Sequence, residues 1–137
     1  MNAFTLKTAT AEYTFSPVTG GFPSVASVIE SDGKKFDAWN LSASPFSIRQ
    51  GKTLFHPVCD KDTPVNRFSC DGAKVVEFPR ISWKDEKGEV LKDFYLCLKW
   101  EFFPDGAVFC DLFVFYATLD AEIIQDFKLS IPVILKD

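Results

Sequence analysis

The segment LCLKWEFFPDGAVFCDLFVFYA, from Leu96 to Ala117, limits the possible fold more than any other part of the chain. Two long apolar runs flank the turn sequence FPDG, in which Pro suits the second position of a type I turn. Gly106 suits the left-handed residue that ends a three-residue hairpin loop. The segment therefore predicts a β-hairpin in which Phe103 lies opposite Ala107.

This turn also predicts the register of the two strands. One face pairs apolar residues throughout: Leu96 with Val114, Leu98 with Leu112, Trp100 with Cys110, and Phe102 with Val108. The second face is mixed: Tyr95 pairs with Phe115, Cys97 with Phe113, Lys99 with Asp111, and Glu101 with Phe109. A shift of one residue would destroy both patterns, so the register is well specified.

A third strand is expected after a four-residue loop at Thr118–Ala121, where Ala117 would face Glu122. That loop places Asp111 opposite Lys128 and predicts a charged row across three neighbouring strands. The prediction is a long antiparallel meander from about Phe94 to Val133. Its apolar face is expected to form one core cluster, comprising Leu98, Trp100, Cys110, Leu112, Phe127 and Leu129.

The rest of the chain consists of short runs rich in Phe, Val, Thr, Tyr and Ile, interrupted by Gly, Pro, Asp or Ser about every eight to twelve residues. We expect one domain spanning residues 1–137, with an all-β fold: an antiparallel β-sandwich with a long-stranded C-terminal meander. The earlier strands are predicted at Ala3–Thr8, Glu12–Ser16, Ser24–Glu30, Lys35–Asn40, Pro45–Arg49, Thr53–Pro57, Arg67–Asp71 and Lys74–Trp83.

The charge and hydropathy of the sequence argue against a nucleic-acid partner and against a membrane span. The net charge is −4 and the sequence shows no basic stripe, so we expect no nucleic-acid partner. No apolar run reaches the roughly eighteen residues that a membrane helix needs, so no membrane span is expected. No signal peptide is visible in this chain, which would make a full-length protein cytoplasmic; otherwise localisation stays open.

Residues capable of catalysis are few. His56 is the only histidine, and the four cysteines form no CxxC pair. His56 and Cys59 lack the sequence context of a catalytic pair, and the aspartates of the segment 60–71 lack the spacing of a calcium loop. We predict no catalytic residue, no metal site and no cofactor, and leave open a disulfide between Cys59 and Cys70.

The mixed face of the hairpin requires a cover or a ligand, because it carries several aromatic residues. One interpretation is that the N-terminal strands, another domain or a second copy of the chain packs on it. We expect a second sheet, built from residues before 84, to bury Phe109, Phe113 and Phe115. The other interpretation is a ligand surface, with aromatic rings that stack on sugars and charges that bond to hydroxyl groups. The candidate ligand-binding residues are Lys99, Asp111, Lys128, Phe109, Phe113, Trp39 and Trp83.

Two further segments carry a family resemblance. The sequences FSPVTGGFPSV, at Phe15–Val25, and SPFSIRQG, at Ser44–Gly51, precede long antiparallel strands in an order that resembles the start of a galactose mutarotase-like supersandwich domain. The resemblance implies a carbohydrate context. The catalytic set of that family, two histidines and a carboxylate, cannot be filled by a chain with one histidine, so no catalytic residue carries over.

Three functional hypotheses follow. The first is a non-catalytic carbohydrate-binding or accessory β-sandwich domain associated with glycan processing. The second is a structural or assembly module whose mixed face is the interface of a homo-oligomer. The third is a glycan-active enzyme that uses carboxylates alone, and it is the least favoured because no suitable carboxylate pair can be placed.

Overall fold

The structure is a computed structural model that describes residues 1–116 and 125–134. Within these residues it contains eleven β-strands and one short 3₁₀ helix, Pro17–Thr19. The strands are β1 (Phe4–Lys7), β2 (Ala11–Phe15), β3 (Pro23–Ile29), β4 (Lys35–Asn40), β5 (Phe46–Gln50), β6 (Thr53–Pro57), β7 (Asn66–Cys70), β8 (Ala73–Lys84), β9 (Val90–Phe102), β10 (Val108–Tyr116) and β11 (Gln125–Leu129).

The strands form two antiparallel sheets. The first sheet has the order β1-β2-β3-β4, and the second has the order β10-β9-β8-β6-β5-β11, with β7 pairing to part of β8. Side chains of both sheets meet in one apolar core, as in a β-sandwich. The predicted all-β, antiparallel fold class is confirmed, and the eight earlier strands lie within two residues of their predicted bounds.

The predicted hairpin of β9 and β10 is confirmed residue by residue. Lys99 lies opposite Asp111, and Leu98 lies opposite Leu112. The Phe103 backbone N–H donates to the Ala107 carbonyl oxygen across 2.9 Å, and Gly106 has a φ of +94°. The local turn chemistry therefore sets the register.

The predicted third strand of the meander is wrong. β11 pairs with β5 at the opposite end of the second sheet, where Lys128 lies opposite Ser47 and Leu129 opposite Phe46. From this position the Phe127 ring contacts the core residue Trp83, and the two ring centroids are 6.2 Å apart. The predicted loop at Thr118–Ala121 and its Ala117–Glu122 pair lie outside the described residues.

The core lies between the first sheet and strands β5, β6, β8 and β9 of the second sheet. Phe15 of β2 packs against Phe78 of β8 and against Trp100 and Phe102 of β9, with ring centroids 5.8 to 6.3 Å apart. The most deeply buried large side chains are Phe15, Phe46, Ile48, Phe78, Ile81, Trp83, Leu96, Leu98 and Phe102.

The predicted core cluster is correct for Leu98 and Trp100 and wrong for the C-terminal strands. Leu112, Phe127 and Leu129 are 37%, 44% and 51% exposed, and Cys110 is also exposed. These side chains are exposed because of the position of their strands in the sheet. β10 and β11 are the two terminal strands of the second sheet, and the buried core residues of that sheet lie on the strands between them.

Candidate binding surface on the last hairpin

The mixed face of the hairpin is open to solvent. We define the β10 surface as Phe109, Asp111, Phe113 and Phe115 of β10 together with Tyr95, Lys99 and Glu101 of β9. Phe113 is 63% exposed, Phe109 57% and Phe115 40%. The expectation that a second sheet buries these rings is wrong, because the first sheet packs on the other face of β9, the one that carries Leu96, Leu98 and Trp100.

The opposite face of β10 is also partly exposed. Val108 and Leu112 point toward the core side, but 38% and 37% of their surface remains accessible, while Val114 is half-buried against the core cluster. Within the described residues, β10 pairs with β9 alone. One backbone edge of an apolar strand is therefore free of strand partners in that part of the chain.

Aromatic and cationic side chains are stacked across the β10 surface. The Arg80 guanidinium lies 4.0 Å from the centroid of the Tyr95 ring and donates a hydrogen bond to the Tyr95 hydroxyl. The Tyr95 ring lies 5.3 Å from that of Phe115, and Phe103 packs edge-on against Phe109 at 5.6 Å. A cation over a ring is a favourable contact that also orients both groups.

Arg80, which contacts Tyr95 beside the β10 surface, was not predicted from the sequence as part of a site. It lies where the β8–β9 register shifts, between Phe78 and Ile81. Pro79 is the local sequence signal for this irregularity, because a proline cannot donate a hydrogen bond to the ladder and within a sheet it occurs at edges or bulges.

The predicted charged row is only partly present. Lys99 and Asp111 are direct neighbours in the β9–β10 ladder. Lys128 is separated from them, because β11 lies at the far end of the same sheet. Two of the three charged candidates therefore belong to one surface.

The two tryptophan candidates lie elsewhere. Trp39, on β4 of the first sheet, is half-buried, and its indole N–H donates to the Pro23 carbonyl oxygen across 2.9 Å. Trp83 has no exposed surface and packs against Phe94 and Phe127. Trp83 is thus a core residue in this structure, and its ring is not accessible to a sugar.

The histidine and the cysteines, considered above for catalysis or a disulfide, lie in the following surroundings. A His56 ring nitrogen, Nδ1, lies 2.8 Å from the Phe46 carbonyl oxygen. Cys59 is buried, Cys70 is exposed, and all four thiols are free. Burial raises the pKa of Cys59 to about 12, against a smaller opposing effect of the N-terminal ammonium. In the described part of the chain, no three His, Cys, Asp or Glu residues are grouped so that they could hold a metal ion.

Comparison with known proteins finds no match to this chain among family models, curated proteins or solved structures. A search of the described residues also finds no helix with the length and apolar character needed to cross a membrane.

Proposed function

We propose that this protein is a non-catalytic assembly module that associates with a second copy of itself through β10. One observation carries the proposal: β10 is a terminal strand whose apolar side chains are exposed on both faces. Long, apolar edge strands are unusual in monomeric proteins, because they pair readily with other strands.

The exposed rings of β10 favour association energetically. Phe109 and Phe113 each have more than half of their surface in contact with water. Burying a Phe side chain fully contributes on the order of 2 kcal/mol, so covering several partly exposed rings favours association. Strand pairing would also satisfy the backbone N–H and C=O groups of the outer edge.

The sequence of β10 suits antiparallel pairing with its own copy. A two-fold axis at Leu112 would place Phe109 opposite Phe115 of the second copy and Asp111 opposite Phe113. The only charged residue of β10 is Asp111, so this register brings no like charges directly opposite each other. The result is an isologous dimer in which the second sheet continues from one copy into the next.

Light scattering coupled to size exclusion tests the proposal. We expect the wild type to have the mass of a dimer and the variant Leu112→Lys to have that of a monomer, because a lysine on a strand edge opposes pairing. Leu54→Lys is the matched control, since Leu54 of β6 is 43% exposed and Leu112 is 37% exposed. A monomeric wild type, or equal dissociation by both variants, would contradict the proposal.

Carbohydrate binding is the second candidate function, and a separate observation favours it. Phe113 is the most exposed of the large apolar side chains in the described residues, and it lies two positions from Asp111, which pairs with Lys99. An open ring beside a carboxylate and an ammonium offers stacking together with hydrogen bonds to sugar hydroxyls.

Glycan titrations test this second candidate. We expect Phe113→Ala and Asp111→Ala to weaken binding, and we expect Phe68→Ala, which removes a 46% exposed ring from β7, to leave it unchanged. No binding by the wild type, or equal affinities for all variants, would exclude a sugar site on the β10 surface.

A further inference from the structure

A separate groove runs between the first strand of one sheet and a side strand of the other. Its first section, a cavity of about 340 Å³, is lined by residues 1–4 with Lys61 and Arg67. The second, of about 300 Å³, lies between β1 and β7 and includes Lys7, Arg67 and Lys74. The third, of about 210 Å³, is lined by Lys7, Lys74 and the Pro104 turn. Neighbouring sections share lining residues, and the three sections together are here called the β1–β7 groove.

The charged residues of the β1–β7 groove are all cationic. Lys7, Lys61, Arg67 and Lys74 line it and are exposed, and the described residues that line it include no Asp or Glu. In the part of the chain that the structure describes, none of the four forms an ion pair with a carboxylate. This concentration of positive charge is unexpected in a chain whose net charge is −4.

Two of these cations are held in place by the fold. The Arg67 guanidinium lies 4.2 Å from the centroid of the Phe4 ring. The Lys74 ammonium donates a hydrogen bond to the Lys7 carbonyl oxygen across 2.6 Å, which links β8 to the edge of β1. Groups that are already oriented lose less conformational freedom when a ligand binds.

Two strand edges border the groove. β1 is the terminal strand of the first sheet, and β7 pairs only with β8 within the described residues. All five residues of β7 are exposed, and Phe68 on this strand is 46% exposed. An extended peptide can add to such an edge through its backbone, while its alternate side chains contact the neighbouring surface.

From these observations we propose that the β1–β7 groove binds an extended acidic peptide segment. Carboxylates of the ligand pair with Lys7, Lys61, Arg67 and Lys74, and its backbone pairs with a free strand edge. The strand edges favour a peptide over other polyanions, because nucleic acids and polyuronates cannot add a β-strand. This site is independent of the β10 surface and of the dimer proposed above.

Fluorescence anisotropy with a labelled peptide of about ten residues, alternating Glu and Val, tests the proposal. We expect the wild type to bind this peptide and not to bind a peptide that alternates Lys and Val. The variant Lys7→Gln/Lys61→Gln should bind about 3- to 30-fold more weakly, from the loss of two ion pairs. The control Lys52→Gln/Lys92→Gln removes the same charge from exposed positions outside the groove and should bind like the wild type.

A second measurement separates strand addition from charge attraction alone. A Glu-Val peptide N-methylated at alternate residues keeps its carboxylates but loses backbone donors, and we expect it to bind more weakly than the unmodified peptide. Single-stranded oligothymidylate and polygalacturonate are tested in parallel. The proposal would be overturned if the acidic peptide did not bind, or if either polyanion bound more tightly than the acidic peptide. It would also be overturned if the methylated peptide bound as tightly as the unmodified one, or if both double variants lost the same affinity.

Discussion

Trp100 of β9 donates its indole N–H to the carbonyl oxygen of Gly21, and the two atoms are 2.7 Å apart in the core. This hydrogen bond joins the second sheet to the turn that leads into β3 of the first sheet. The indole N–H of Trp83 is also buried, but it has no hydrogen-bond partner among the described residues. Two core tryptophans thus differ in one polar contact.

We expect Trp100→Phe to lower the free energy of unfolding by about 1 to 3 kcal/mol more than Trp83→Phe does. Both changes remove the same atoms, but only the first leaves a buried carbonyl oxygen without its donor. Urea denaturation monitored by circular dichroism measures the difference. Equal losses would mean that the Trp100–Gly21 bond contributes nothing.

Gly21→Ala is expected to be destabilising for steric reasons. Its φ is +86°, and a Cβ would lie 2.6 Å from Cδ1 of Ile81 and 2.9 Å from Cδ1 of Leu98. Gly33 has a φ of +84°, and a Cβ added there would have nothing within 4 Å. Gly33→Ala therefore introduces the backbone strain of a positive φ without a steric clash. We expect Gly21→Ala to cost about 1 to 3 kcal/mol more than Gly33→Ala in thermal unfolding. Similar losses would show that the core absorbs the methyl group.

Leu98 and Leu112 lie opposite each other in the β9–β10 ladder but differ in burial, at 0% and 37% exposed. We expect Leu98→Ala to cost about 2 to 5 kcal/mol and Leu112→Ala less than about 1 kcal/mol, measured by denaturation of the monomer at low concentration. A large loss for Leu112→Ala under those conditions would place β10 inside the core.

The buried thiol of Cys59 predicts a pH dependence of stability. Its pKa is raised from 9.0 to about 12 by burial, so the folded state keeps a proton that the unfolded state releases above pH 9. The Cys59 contribution to the free energy of unfolding should therefore be fully present below pH 9. It should fall by about 1.4 kcal/mol per pH unit as the pH rises toward 12.

Denaturation at about pH 8 and about pH 10 checks this expectation. Cys59→Ala should lose less stability between the two values than the wild type, whereas Cys70→Ala, at an exposed position, should behave like the wild type. Identical losses in Cys59→Ala and the wild type would assign the pH dependence to other groups.

The candidate sites differ in how far the sequence predicted them. Phe109, Phe113 and the Lys99–Asp111 pair could be placed on one face, because their positions depend only on a local turn and the two-residue period of a strand. Their exposure could not be predicted, because it depends on which face of β9 the first sheet covers. The cations of the β1–β7 groove are distributed over separate elements, and only the packing of β1 beside β7 brings Lys7, Arg67 and Lys74 together.

The sequence by itself determined the antiparallel β class and the register of β9 with β10, through contacts between residues close along the chain. Turn residues such as Gly106 adopt their conformation with little help from distant parts of the fold. Only the tertiary structure decided that β11 pairs with β5 and that β10 remains at the edge of its sheet. Long-range strand pairing depends on which apolar faces can be buried together, and in this protein the ring of Phe127 packs against Phe46 and Trp83. The alternation of polar and apolar residues within Gln125–Leu129 is compatible with pairing to β10 or to β5. Packing against the core therefore decides between these two strands.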